Sequence, residues 1–292
     1  MSVETIYNTG YFINFDKRNT ATAPYKLTEN NYYMKKTIFL ALLSAMTLLG
    51  AQCLADNPFV PTTEGMVMKT VEKDKNGKTT AYTTTVVAEV RQTPEGMQVT
   101  TMNTVYNADG KAVSAQIASD MEGGESIDQK TADMLNEQIE KFSTLQTLVT
   151  DTEVIIPMTA LKDLMEDMTM EGYKLNINMD DNATYPVSPK AGQTMPPVEL
   201  SLSITVDSKE MEIMSVIIRD RHIVGKETIS VPAGTFECWK VSETTDMKTV
   251  MGTMTMLSET WYADGIGEVK SVELNKKGKI ESSSELLSVT KP

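Results

Sequence analysis

Histidine is almost missing from this chain of 292 residues: His222 stands alone, and cysteine occurs twice. One histidine beside Arg219, Asp220 and Arg221 identifies no triad partner and no multi-histidine zinc site, so it reads as a solvated side chain in a charged turn. No glycine-rich loop opens a helix to cradle a phosphate. Basic residues are also in deficit, 27 against 40 acidic, and aromatics are only 6% of the chain. Carboxylates are so plentiful that a pair such as Asp163 and Glu166 carries no specific message. Glycoside hydrolysis needs two carboxyls at a set separation across a cleft, and a sequence does not supply that distance.

What is present begins with an address. Residues 1–33 are polar and unpatterned. Met34-Lys35-Lys36 then opens an apolar run from Thr37 to Gly50. A basic start followed by a short apolar stretch is the pattern of a signal peptide, and the run is too short to span a bilayer. We expect translation to start at Met34, residues 1–33 to be a disordered extension, 34–55 to be the signal peptide, and 56–292 to be one β-rich domain. Cys53 and Ala55 supply small residues for cleavage before Asp56; acylation of Cys53 is the alternative, with bulky Gln52 against it. Residues 1–55 hold five of the basic and three of the acidic residues, leaving 22 and 37 and a net charge of −15 for 56–292. No basic stripe is evident, so neither nucleic acid nor a bare anionic membrane is expected as a partner. Only Cys238 remains, without a disulfide partner, so packing must hold the fold.

The stretch Val231-Pro-Ala-Gly-Thr-Phe-Glu-Cys-Trp-Lys-Val241 organises the rest. Pro232 suits the first corner of a turn and Gly234 tolerates positive φ. Phe236 and Cys238 fall on one face of the outgoing strand, Trp239 and Val241 on the other. Alternation of apolar and polar residues predicts three or four strands over 66–119, and further strands over 198–206, 211–219, 223–229, 235–242, 250–260, 267–274 and 280–289. Asn76-Gly77, Asp109-Gly110 and Lys277-Gly278 mark hairpin turns. Between the two groups, Ile127, Leu135, Ile139, Phe142 and Leu145 recur at helical spacing, so a helix is expected over 126–149, and a shorter one from Thr159 to Met168. The expected fold is therefore mainly β: a single large curved antiparallel sheet, a half-barrel or open barrel, with a two-helix insertion over about 126–170.

Val231-Pro-Ala-Gly-Thr-Phe-x-Cys238, Trp261-Tyr-Ala-Asp-Gly-Ile-Gly267 with Glu268-Val-Lys270, and Lys277-Gly-Lys279 with Glu285-Leu286 resemble the TapB-like family. Tyr185-Pro186, Gly192-Gln193-Thr194, Pro61 and Gly65 are similar to further segments of it. The resemblance covers roughly 57–290. It implies a secreted envelope protein with an antiparallel β fold like the curled half-barrels of lipoprotein carriers. It implies no catalytic residue and no cofactor. Members with a cysteine near the mature N-terminus differ from this chain, whose expected mature start is Asp56.

Methionine is the unusual abundance: 21 in all, 18 of them within 56–292. Met-x-x-Met-x-Met occurs at Met165, Met168, Met170 and at Met251, Met254, Met256. Thioethers suit Cu(I), but in a strand Met251 and Met254 face opposite ways, and methionine commonly fills cores and adaptable apolar surfaces. The expected function is non-enzymatic: binding of an apolar small molecule or an envelope protein in a concave sheet face, through a groove lined by Met165, Met168, Leu200 and Leu202. Pro232, Gly234, Phe236, Cys238, Trp261 and Gly267 form the structural motif. A carboxylate-based hydrolase acting on glycan or lipid and a methionine-rich Cu(I) binder are the alternatives.

Overall fold

The structure is a computed structural model; it describes residues 58–112, 143–158, 162, 174–180, 182–206, 209–249 and 252–292. These form a 13-stranded, entirely antiparallel sheet. In chain order the strands are β1 (Val67–Asp74), β2 (Thr79–Thr93), β3 (Gly96–Asn107), β4 (Thr144–Val149), β5 (Glu153–Pro157), β6 (Lys174–Met179) and β7 (Asn182–Pro186). They continue with β8 (Val198–Val206), β9 (Lys209–Val231), β10 (Gly234–Thr249), β11 (Gly252–Ala263), β12 (Gly267–Asn275) and β13 (Ile280–Thr290). Their order across the sheet is β6-β8-β9-β10-β11-β12-β13-β1-β2-β3-β4-β5-β7. The sheet is open: β6 and β7 are its edges, although they are consecutive in the chain.

The sheet curls strongly. Tyr185 of β7 and Tyr262 of β11 lie eight strands apart in the order. In a flat sheet that is about 38 Å at the usual strand spacing. Their ring centroids are 6.3 Å apart. The edge strand has therefore come round to meet the middle of the sheet. Bulges assist the bend: register shifts occur in most of the central ladders, and Asp220 adopts a positive φ of 52° within β9. Sequence periodicity separates 211–219 from 223–229, but the backbone carries both as one 23-residue strand bent at this bulge.

The hairpin at 231–234 is a two-residue turn in which Val231 pairs with Gly234. Gly234 has φ 140°, where a side chain is strained. The tip is tied down, since Ala233 N donates to the Leu286 carbonyl of β13 at 3.1 Å. Ile229, Val231 and Phe236, which share one face of the hairpin, pack against the core together with Ala233 of the turn.

One expectation is corrected. The helix assigned up to residue 149 does not extend that far: residues 144–149 are β4, paired with β3, and 153–157 are β5. Leu145 fits a helical count, but Thr144-Leu-Gln-Thr-Leu-Val149 also alternates, with Thr147 and Val149 buried and Gln146 exposed. β-branched Thr and Val beside the open edge of β3 favour the strand. β6, which follows at 174–179, is also strand. The earlier part of the expected helix, and all of 159–168 except Lys162, lie outside the described residues.

Candidate functional site

Directly opposed residues in a ladder share a face, so register sorts the side chains. Val241, Glu243, Thr260, Tyr262, Glu268, Ser271 and Ser284 fall on one face, continuous with Glu72, Thr83, Thr85 and Val87 of β1 and β2. This is the face that the curl turns inward, because it carries Tyr262 towards Tyr185.

One end of the inner face is filled. Phe59 lies 5.1 Å from both Tyr185 and Tyr262, centroid to centroid. Arg221 stacks over Tyr185 at 4.8 Å, donates from Nε to Glu243 Oε1 at 2.8 Å, and from Nη1 to the Pro196 carbonyl at 2.9 Å. Arg221 is only 2% exposed. Burial opposes its charge, but Tyr185 and Glu243 outweigh that and leave it more firmly protonated. Burial, then the Glu243 charge, raises the Tyr185 hydroxyl well out of its ordinary range. Two aromatic hydroxyls held neutral around a satisfied ion pair form a plug that locks the curl. The sequence places Arg221 in a charged turn; the structure buries it.

Away from the plug the inner face divides into two walls. Over β12, β13, β1 and β2 it is hydroxyl- and carboxyl-rich. Ser284 donates to Glu268 at 2.5 Å and shares a 2.9 Å hydrogen bond with Ser271. Ser282 bonds to Glu273, and Thr85 donates to Asn103 at 2.6 Å. Burial raises the Glu268 carboxyl to about 7, helped by the charges of Glu72 and Glu273. Burial, then Glu273, also raises Glu72, against a hydrogen bond from Thr83. The wall is chemically polar but reluctant to hold negative charge.

The other wall, over β6 and β8 to β11, is apolar. Met179, Leu200, Val216, Met247 and Met254 are opposed in a single cross-strand row. Leu202, Met214 and Met256 flank it on the same face. Leu200, Leu202, Val216 and Met247 are buried, whereas Met254 remains 42% exposed. Of the expected groove residues, Leu200 and Leu202 thus share this wall; Met165 and Met168 lie outside the described residues, as does Met251. Val216 and Met247 were missed as groove candidates, although the alternation of β9 and β10 carried the signal.

The remaining sequence-marked residues are structural. Pro232 and Gly234 are exposed at the hairpin turn, and Phe236 is half-buried. Cys238 is fully buried; burial, then Asp264 and the nearby glutamates, pushes its thiol up to about 12. Trp261 is buried on the opposite face from Tyr262, donates from Nε1 to Glu227, and carries Lys240 over its ring at 4.9 Å. Gly267, at φ 90°, closes the β11–β12 turn against Ala263. His222 is half-buried, its Nδ1 2.9 Å from the Asp220 carbonyl. Among the described residues, no three His, Cys, Asp or Glu side chains are arranged to hold a metal ion. Nor is any helix among them long and apolar enough to cross a membrane.

Residues 159–286 are similar to the family described as DUF3108-like. Two solved structures share the fold. One is a candidate lipoprotein from Parabacteroides distasonis, 19% identical, with a TM-score of 0.54 over 81% of this chain and 100% of that one. The second is a candidate exported protein with a YmcC-like fold from Bacteroides fragilis, 20% identical, with a TM-score of 0.53 over 82% of this chain and 100% of that one. No curated protein matches.

Proposed function

We propose that this is an exported, non-enzymatic protein of the bacterial cell envelope that takes up an amphiphilic ligand along the inner face of its curled sheet. The observation that carries this reading is the division of that face: an apolar row from Met179 to Met254 adjoins, on the same face, a hydroxyl- and carboxyl-rich wall. Methionine side chains adapt to irregular acyl chains, and hydroxyls satisfy a polar headgroup. Partly exposed Met254 marks apolar surface that the described chain leaves uncovered. Export rests on the signal-peptide pattern of 34–55, with lipid anchoring through Cys53 as the variant form. The descriptions of the two fold neighbours support an envelope setting. The TapB-like resemblance belongs to the same reading.

The test is titration of delipidated protein, residues 56–292, with a fluorescent fatty-acid probe. Saturable binding that weakens at least tenfold in Met254→Glu and in Met168→Glu is expected. A probe that does not bind, or that binds both variants equally well, removes the apolar ligand and leaves an envelope protein partner as the occupant of this face.

A further inference from the structure

The acidic total conceals a basic end. Three hairpin turns are built alike: Asp74 to Lys78, Asn107 to Lys111 and Asn275 to Lys279. In each, the first residue's backbone N–H donates to the carbonyl of the fifth, and the glycine N–H donates back to the first residue's carbonyl. In each, the side-chain oxygen of Asp74, Asn107 or Asn275 accepts the backbone N–H groups two and four residues on. The sheet order sets β12, β13, β1, β2 and β3 side by side. Asp74 opposes Ser282, and Asn107 opposes Ala81, so all three turns project from the same end of adjacent strands.

These turns carry Lys75, Lys78, Lys111, Lys276, Lys277 and Lys279, all exposed. Ion pairs among the described residues use Lys73, Lys226, Lys240, Lys248 and Lys270, not these six. The carboxylates nearby are mostly engaged elsewhere. Asp74 is held by its own turn, Glu281 accepts from Asn275 Nδ2, Glu273 accepts from Ser282, and Asp246 is held first by Thr255 and Arg219, with Lys276 a lesser neighbour; Asp109 is exposed. Ile280, next to Lys279, is 50% exposed. At the other end the β2–β3 turn carries Glu95, the β11–β12 turn Asp264, and the neighbouring β4–β5 connection Asp151 and Glu153, all exposed, with Arg91 and Lys291 the exposed cations beside them. Turn-tip lysines are therefore gathered at one end of the strands. Six lysines on turn tips make a rim rather than a cleft, which suits a broad anionic surface. An exposed isoleucine among them adds apolar contact at a headgroup boundary.

We propose that this lysine rim docks the protein, sheet end on, to a bilayer containing anionic phospholipid. Clustered lysines draw on the negative surface potential of such a bilayer, while charge at the far end lies beyond a screening length and contributes little. The inference does not depend on the inner face holding a ligand. It modifies the expectation from total charge that a bare anionic membrane is no partner, because that total cannot show lysines gathered from distant positions.

Flotation of residues 56–292 with vesicles of phosphatidylcholine, with and without about 30 mol% phosphatidylglycerol, tests it. Retention on the anionic vesicles alone is expected, lost about tenfold or more in Lys276→Glu/Lys277→Glu/Lys279→Glu and in Lys75→Glu/Lys78→Glu, and at about 0.5 M salt. Lys190→Glu/Lys291→Glu, away from the rim, should stay within about twofold. Thermal unfolding of each variant verifies that these exposed substitutions leave the fold intact. No retention, equal retention on neutral vesicles, or rim variants that bind like the parent would overturn the proposal.

Discussion

Glu268→Gln should make the protein more stable at pH 8 and leave it nearly unchanged at pH 5. Glu268 lies opposite Tyr262 on the inner face, where burial raises its carboxyl to about 7 from an ordinary 4.5. A carboxyl whose folded pKa is raised contributes stability that is complete below about 4.5 and is lost as pH climbs through about 7. The shift corresponds to roughly 3 kcal/mol at about 1.4 kcal/mol per unit, and partial exposure of the residue argues for about 2–3. Glutamine keeps an acceptor for Ser284 and never ionises. Urea unfolding midpoints for both proteins at pH 5, 6, 7 and 8 give the comparison. Paired carboxylates such as Glu285, held low by Lys73, lose their contribution only at more acid pH, outside this window. The parent should lose about 2–3 kcal/mol relative to the variant between pH 5 and 8. Parallel pH curves for the two proteins would refute the assignment of a buried, reluctant carboxyl to this wall.

Breaking the plug from one side, Arg221→Ala, leaves Glu243 without its buried partner and should cost about 3–5 kcal/mol in denaturant unfolding. A cost under about 1 kcal/mol would show that the ion pair does not lock the curl. Gly96→Ala should cost at least about 2 kcal/mol, because a Cβ there would meet the Val149 carbonyl oxygen at 2.1 Å, at a φ of 146°; unchanged stability would place β4 elsewhere. Gly234→Val should cost about 1–3 kcal/mol through backbone strain alone, since its Cβ would make only ordinary contacts with Phe236. Cys238 should resist thiol reagents at pH 8 in the native state and react at once in denaturant; fast native labelling would contradict its burial.

Much of the sheet could be read from residues because its signals are local. Asn-Gly, Asp-Gly and Lys-Gly turns, the Pro232-Ala233 corner and the alternation of 198–206 each specify a hairpin or a strand without reference to the rest of the chain. The junctions were less legible. Leu145 satisfies both a period of two and a helical period, and what decides for β4 is the vacant edge of β3, a tertiary fact. The bulge at Asp220 that merges two expected strands is likewise invisible in composition. Leu200 and Leu202 could be picked as an apolar face from alternation. That Val216, Met247 and Met254 align with them depends on register across three ladders. Arg221 looked like a turn residue because its neighbours are charged; only the curl, which brings Tyr185 and Glu243 to it, accounts for its burial. Glu72, Glu268 and Glu273 come from opposite ends of the chain, and no spacing links them.

The central claim is that the inner face holds an amphiphile in the cell. Native mass spectrometry of protein taken from its own envelope, without delipidation, tests it most directly. The account predicts an adduct of lipid mass at close to one per chain, released by denaturation and diminished in Met254→Glu. A bare polypeptide mass, or a lipid adduct retained undiminished in that variant, would contradict it.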